Sequence, residues 1–214
     1  MPDHLKTIAE AVKNGDEKLT VQAVGEALNA GMAAGEILSN GLVPGIQALG
    51  QLFKDGQAYL PEILISARAM RSGTDKLRPH LADTEVQKKG TVVIGTVEGD
   101  MHDIGKNLVK MMLESNGYDV HDLGVDVSAD AFAAEAKATE ANIVATSALL
   151  TTTMTIIPGI SKALETAGVR SKVKMMIGGA PITRQFADEI GAEGYADDCA
   201  SAVDEADRLM KLAV

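Results

Sequence analysis

The feature that most limits what this chain can fold into is a change of grammar near residue 90. From there on, short apolar runs rich in β-branched residues alternate with stretches of helical period. "TVVIGTV" (91–97) opens the series, and a helix is expected from about Ile104 to Asn116. Next come a strand near Asp119–Leu123, a helix near Ala129–Thr139, the strand "NIVATSA" and a helix from about Met154 to Ala167. The strand "KVKMMIGG", a helix near Thr183–Ile190, the brief strand "EGYA" and a helix from about Cys199 to Leu212 complete it. Runs that are apolar throughout suit strands covered on both faces. The expectation is an α/β fold: a five-stranded, doubly wound parallel sheet with helices on both faces. Ligands of such sheets sit beyond the carboxyl ends of the strands.

The first 80 or so residues carry helical period and no convincing strand. Leu5, Ile8, Ala9 and Val12 recur at helical spacing; Asn14-Gly15 ends that helix and Asp16 is placed to cap the next, which runs to about Ala30-Gly31. "GLVPGIQALGQLFKDG" offers a third, with Pro44 tolerable in its first turn. A fourth begins near Pro61 and carries Ile63, Leu64, Ala67 and Met70 on one face until Pro79. Four short helices with short connections predict an antiparallel bundle. The expected organisation is therefore a helical bundle over 1–83, a polar linker over 84–90 and an α/β domain over 91–214.

Composition removes several classes of function. The net charge is −10, with no cluster of four or more Lys/Arg, which argues against nucleic acid and anionic membranes. Aromatic residues are 3% of the chain, so platforms for base stacking are scarce. A single cysteine, Cys199, excludes a disulfide framework or a multi-cysteine zinc site, and it is expected as a small buried residue opening the last helix. Without a signal-peptide core or an apolar stretch of membrane-spanning length, a cytoplasmic protein is expected.

Chemistry concentrates in the turn after the first strand, "GTVEGDMHDIGKNLV" (95–109). His102 can ligate a metal while Asp100 takes the proton on its other ring nitrogen, and Gly105 makes room where a bulky group passes the start of the helix. Alternatively, Asp100 or Asp103 caps the helix and His102 is a solvated loop residue. His4, His80 and His121 show no metal-ligand spacing, so His102 would be the only protein ligand in this turn. One ligand suffices if a macrocycle already holds the metal. Glu98, beside this histidine, is expected to face solvent, and Met111, Met112, Met175 and Met176 to fill core.

Two later strand ends extend the pattern. The chain reads D-x-H-x-x-G at 100–105, then 41 residues, S-x-L at Ser147 and Leu149, then 28 residues, and Gly178-Gly179. Three such elements in register strongly resemble the signature of the cobalamin-binding domain family. "LFKDGQAYLPEILISARAM" further resembles the helical cap found in methionine synthase and in corrinoid proteins of methyltransferase systems.

The resemblance implies a flavodoxin/Rossmann-like domain behind a four-helix cap, with cobalamin as cofactor and methylcobalamin as its loaded state. It makes His102 the lower axial ligand of cobalt, in the base-off form, and Asp100 the acceptor of the imidazole proton. Thr153 stands where family members often place the serine that extends this relay. Asp103 and Ile104 lie within the motif; Gly105, Ser147, Leu149, Gly178 and Gly179 match the slot for the displaced nucleotide tail. Phe53, Leu60 and Ile63 match apolar cap positions, and the 83–90 segment is where the cap would hinge. The implied function is a methyl shuttle that does not turn over alone. Its implied partners are a substrate-specific methyltransferase, a second methyltransferase serving the methyl acceptor, and a reductive activator. A cobalamin-binding regulator or sensor is the alternative; a mutase would need a barrel domain for which the chain has no room.

Overall fold

The computed structural model describes residues 2–81 and 88–212, and the chain divides into two compact units, Met1–Gln87 and Lys88–Val214. Most of the linker expected over 84–90 lies outside the described residues.

The first unit is all helical: α1 (Pro2–Lys13), α2 (Glu17–Asn29), α3 (Ala34–Ile37), α4 (Val43–Lys54) and α5 (Leu60–Leu81). Asp16 caps α2 as expected, its side chain accepting the Leu19 N–H at 2.9 Å. α1 packs on α2 and α4, and α5 on α2 and α4. Two expectations shift. Helix begins at Ala34, ahead of the third expected segment, and reaches α4 through a π-helical turn, Leu38–Leu42. Pro44, which has no N–H to continue the ladder, follows this turn in the first turn of α4. α5 also runs two residues past Pro79.

The second unit is a five-stranded parallel sheet: β1 (Thr91–Thr96), β2 (Asp119–Asp122), β3 (Ile143–Ser147), β4 (Lys174–Gly178) and β5 (Gly194–Ala196), in the order β2-β1-β3-β4-β5. The helices are α6 (Ile104–Ser115), α7 (Ala129–Ala138), α8 (Thr151–Met154), α9 (Ile157–Thr166), α10 (Arg184–Ile190) and α11 (Cys199–Lys211). On one face Val93, Val97, Val144, Met175 and Ile177 pack with Phe132 of α7 and Ile157, Ile160 and Leu164 of α9. Val92, Ile94, Ile143 and Met176, of opposite parity, are also buried, and α6 and α11 pack on each other and on the sheet. Burial on both faces is why the strands read as unbroken apolar runs.

The helix expected over 154–167 is split into α8 and α9. Pro158, in the first turn of α9, has no N–H to continue a helix arriving from α8. Met112, Met175 and Met176 are core as expected, whereas Met111 is only half-buried. With this strand order the connection direction reverses between β1 and β3, and the carboxyl ends of those two strands are where sheets of this kind take their ligands.

Candidate functional site

The D-x-H turn leaves β1 and the S-x-L turn leaves β3, so both lie at that reversal, with Thr96 and Ser147 in register and Ser147 paired onward with Gly178. The sheet therefore brings the three sequence elements to one edge.

Asp100 is the hub. Its residue is fully buried, and its carboxylate accepts four hydrogen bonds. Oδ1 takes the imidazole Nδ1–H of His102 at 2.7 Å and the His102 backbone N–H at 3.1 Å. Oδ2 takes the Leu149 N–H and the Thr153 hydroxyl, each at 2.8 Å. Burial by itself would push this carboxyl up; the Leu149 N–H, the two His102 donors and the Thr153 hydroxyl outweigh it and hold the group well below the usual carboxylate range. An ionised carboxylate can only accept, so the proton on His102 sits at Nδ1 and the lone pair at Nε2.

The second ring nitrogen is unpartnered. His102 is 53% exposed at its side chain, and Nε2 has no partner among the described residues. Met101 (69%), Ile104 (74%), Leu149 and Leu150 are among the few large apolar side chains of this unit left exposed, and all four flank the histidine or the carboxylate that holds it. No group of three or more His, Cys, Asp or Glu able to hold a metal ion occurs among the described residues. His102 could therefore ligate only a metal that brings its other ligands with it.

The glycines divide into two kinds. A Cβ at Gly179, whose φ is +127°, would fall 1.8 Å from the Ala148 carbonyl oxygen, and one at Gly178 would fall 2.8 Å from that of Ala196. Glycine is demanded there by the fold itself. A Cβ at Gly105 would meet nothing within 4 Å, so protein packing leaves that space open. A ring-shaped, metal-bearing group over His102 and Gly105 fits these residues.

The other expected residues separate. Asp103 stands at the N-cap position of α6 but makes no capping bond; its carboxylate accepts the Asn107 side-chain amide at 3.0 Å. Leu149 serves Asp100 through its backbone N–H, and Thr153 through a buried hydroxyl. The Ser147 hydroxyl has no partner among the described residues. In the helical unit Leu60 is exposed and Phe53 half-buried, whereas Ile63 is a core residue on the face carrying Ser66, Ala67 and Met70. Glu98 is exposed and Cys199 buried, burial pushing its thiol up to about 11. His121 is paired with Glu135 at 3.0 Å.

Sequence reasoning missed the loop behind the turn. Lys106, the residue after Gly105, is only 3% exposed and donates to Asp122 Oδ1 at 2.6 Å. Asp126 accepts the Gly99 N–H at 2.7 Å. Charged residues in a polar stretch carry no periodic signal, so neither partnership was visible before the chain folded.

Comparison with known proteins gives concordant results. Two family profiles, each described as a B12 binding domain, match residues 4–78 and 90–204. Trimethylamine corrinoid protein 2 of Methanosarcina acetivorans is 41% identical over 204 residues, which cover 94% of each chain. Dimethylamine corrinoid protein 1 of Methanosarcina mazei is 42% identical over 207 residues, 96% of this chain and 95% of the relative. Among solved structures, the methanol:cobalamin methyltransferase complex of Methanosarcina barkeri contains a chain that aligns with a TM-score of 0.88 at 30% identity, covering 99% of this chain and 81% of that one. Among the described residues no helix is long and apolar enough to cross a membrane.

Proposed function

The chain belongs to the family of proteins built on the B12 binding domain, and from that premise we propose that it is a corrinoid protein carrying a methyl group on cobalamin between partner methyltransferases. The observation that carries this reading is one imidazole: Nδ1 fastened to a buried carboxylate, Nε2 left without a partner, and no group of further metal ligands among the described residues. Once cobalamin is bound, the chemistry is that of its cobalt, the acceptance and release of a methyl group.

The residues of the chain divide the remaining work. His102 would hold the cobalt through Nε2, and Asp100 fixes the tautomer and, as a hydrogen-bonded anion, would strengthen the imidazole as a donor. Thr153 holds the second oxygen of that carboxylate. Gly105 leaves room beside the ligand, and the Ser147 hydroxyl is available to the displaced nucleotide tail. Phe53 and Leu60 are the cap residues proposed to meet the corrin; Ile63, wholly buried, is not available to it. The partners are a substrate-specific methyltransferase, a second one that passes the methyl group to its acceptor, and a reductive activator, all in the cytoplasm.

The test is spectroscopic. The cob(II)alamin complex of uniformly ¹⁵N-labelled protein should show an axial superhyperfine doublet in place of the ¹⁴N triplet, and His102→Ala should abolish it. A triplet that persists in labelled protein would mean that the cofactor keeps its own base and that His102 is not the ligand.

A further inference from the structure

We propose that Asp126, in the loop between β2 and α7, is a positioning residue that holds the His102 turn in its ligating geometry. The proposal rests on the reading of His102 as the axial ligand. Nothing in the D-x-H pattern points to Asp126, which lies more than twenty positions away along the chain.

The contact is two-sided. The Asp126 carboxylate accepts the Gly99 N–H at 2.7 Å, while the Asp126 N–H donates to the carbonyl oxygen of Asp100 at 3.0 Å. One residue thus grips the peptides on either side of the bond between Gly99 and Asp100. That segment sets the direction in which the buried carboxylate leaves the backbone, and the carboxylate in turn sets the direction of the imidazole. A turn of this kind has no ladder of its own, so its geometry is supplied by neighbours.

The backbone of Asp126 is consistent with a residue kept for its contacts. Its φ is +55°, one of only two positive values outside glycine among the described residues. A side chain in this left-handed region is strained unless its surroundings hold it there, and Asp and Asn are the types that tolerate it best. Glycine would relieve the strain but could not reach the Gly99 N–H. The local backbone therefore favours glycine, and the aspartate is retained against that preference.

The rest of the loop is fastened so that the grip is transmitted. Thr96 N–H donates to the Gly124 carbonyl, and Val127 N–H to that of Thr96, each at 3.0 Å. At the loop's start, Asp122 Oδ1 accepts both the Gly124 N–H at 2.9 Å and the buried ammonium of Lys106 at 2.6 Å. Lys106 belongs to the first turn of α6, so the loop is tied to the helix that carries Gly105 as well as to β1. On the far side, the Thr96 hydroxyl donates to the His102 carbonyl oxygen at 2.8 Å. Leu149 and Thr153 hold the Asp100 carboxylate from the β3 side, and Asp126 closes the frame on the other, where the main chain of Gly99 and Asp100 otherwise makes the Asp100 N–H to Val97 bond.

The experiment uses the full chain with hydroxocobalamin, reduced in place for the labelled-protein spectrum, and compares Asp126→Gly with Asp126→Asn. Asp126→Gly keeps the left-handed backbone and removes the acceptor. In cobalamin-free protein it should raise amide exchange at Gly99 about tenfold or more without lowering Tm. In the complex it should weaken hydroxocobalamin binding about tenfold, the lower end of what loss of a ligand's supporting partner costs, and reduce the fraction of spins with a protein nitrogen on cobalt. Asp126→Asn tolerates the same φ and presents a carbonyl oxygen to Gly99, so it should restore all of these readouts to near wild type. A purely structural role would instead show as a fall in Tm with unchanged spectra. Wild-type affinity and spectrum in Asp126→Gly, or an Asn variant as impaired as the Gly variant, would overturn the proposal. If the wild-type complex itself lacks a protein nitrogen on cobalt, it is the reading of His102 that fails; the grip on the turn then stands or falls on Gly99 exchange alone.

Discussion

Replacing Asp100 by Asn tests whether the buried carboxylate is the keystone of the turn. An Asn side chain has one acceptor where the carboxylate has two. Turned so that its oxygen serves the two His102 donors, it places an NH₂ against the Leu149 N–H and the Thr153 hydroxyl. The threonine can rotate and accept, but the Leu149 N–H loses its acceptor, and the bonds from His102 lose their charge. Hydrogen bonds to charged groups contribute about 1.5–3 kcal/mol and neutral ones about 0.5–1.5. Two weakened bonds and one lost bond sum to about 3.5–6 kcal/mol, and relief of the carboxylate's burial offsets part of that. The carboxyl is held below its ordinary range, so its bonds outweigh its burial and the offset is incomplete. The expected loss is about 2–4 kcal/mol, read as a fall in Tm on the order of 10 °C in cobalamin-free protein by circular dichroism. The pH dependence has a definite sign. With its pKa depressed in the fold, Asp100 contributes this stability above the ordinary aspartate value and loses it as the pH falls toward the folded value, so the gap between wild type and variant must narrow below about pH 4. A loss under about 1 kcal/mol at pH 7, or a gap unchanged by acid, would refute the argument.

Other outcomes follow from the same geometry. Gly179→Ala should cost more than about 3 kcal/mol or prevent folding, because its Cβ collides with the Ala148 carbonyl at a φ that L residues avoid; solubility and Tm check this. Gly105→Ala should leave apo stability unchanged or raised by about 0.5–1 kcal/mol, since the residue is helical and the space open, yet weaken cobalamin binding in titration. Glu205, held at about 2 chiefly by its hydrogen bonds with Arg208, stabilises the fold above its ordinary carboxylate range and less so as the pH falls from there toward 2. Glu205→Gln should therefore cost about 2–3 kcal/mol in urea unfolding at pH 7 and little at pH 2.5.

How much was legible before folding depended on whether the signal was periodic. Apolar runs at 91–97, 142–148 and 172–179 located β1, β3 and β4 closely, because strands buried on both faces leave an unbroken hydrophobic trace. The π-helical turn at Leu38–Leu42 left no such trace, since five residues are too few for a distinct period to show. At the site, the spacing of Asp100, His102, Gly105, Ser147 and Gly178-Gly179 could be read because each element follows a strand. The role of Leu149 could not be read, because the group that reaches Asp100 is its N–H, which every residue but proline has. For the same reason Asp122, Asp126 and Lys106 were invisible: their partners are far along the chain, and only the order β2-β1-β3 makes them neighbours.

The hydroxyl of Thr153 completes the physical picture of the turn. Its oxygen lies 2.8 Å from Asp100 Oδ2 and 3.0 Å from the Leu150 carbonyl oxygen, both of them acceptors, yet a hydroxyl has a single hydrogen to give. While Asp100 is ionised, the hydrogen belongs on Oδ2, where the bond is charge-assisted. If Asp100 takes up a proton, the hydroxyl can swing to Leu150 and accept from the carboxyl instead, with no heavy atom displaced. Residue 153 therefore lets the buried carboxyl change charge without stranding a polar group. Valine, its isostere, would forfeit that freedom, whereas serine would keep it.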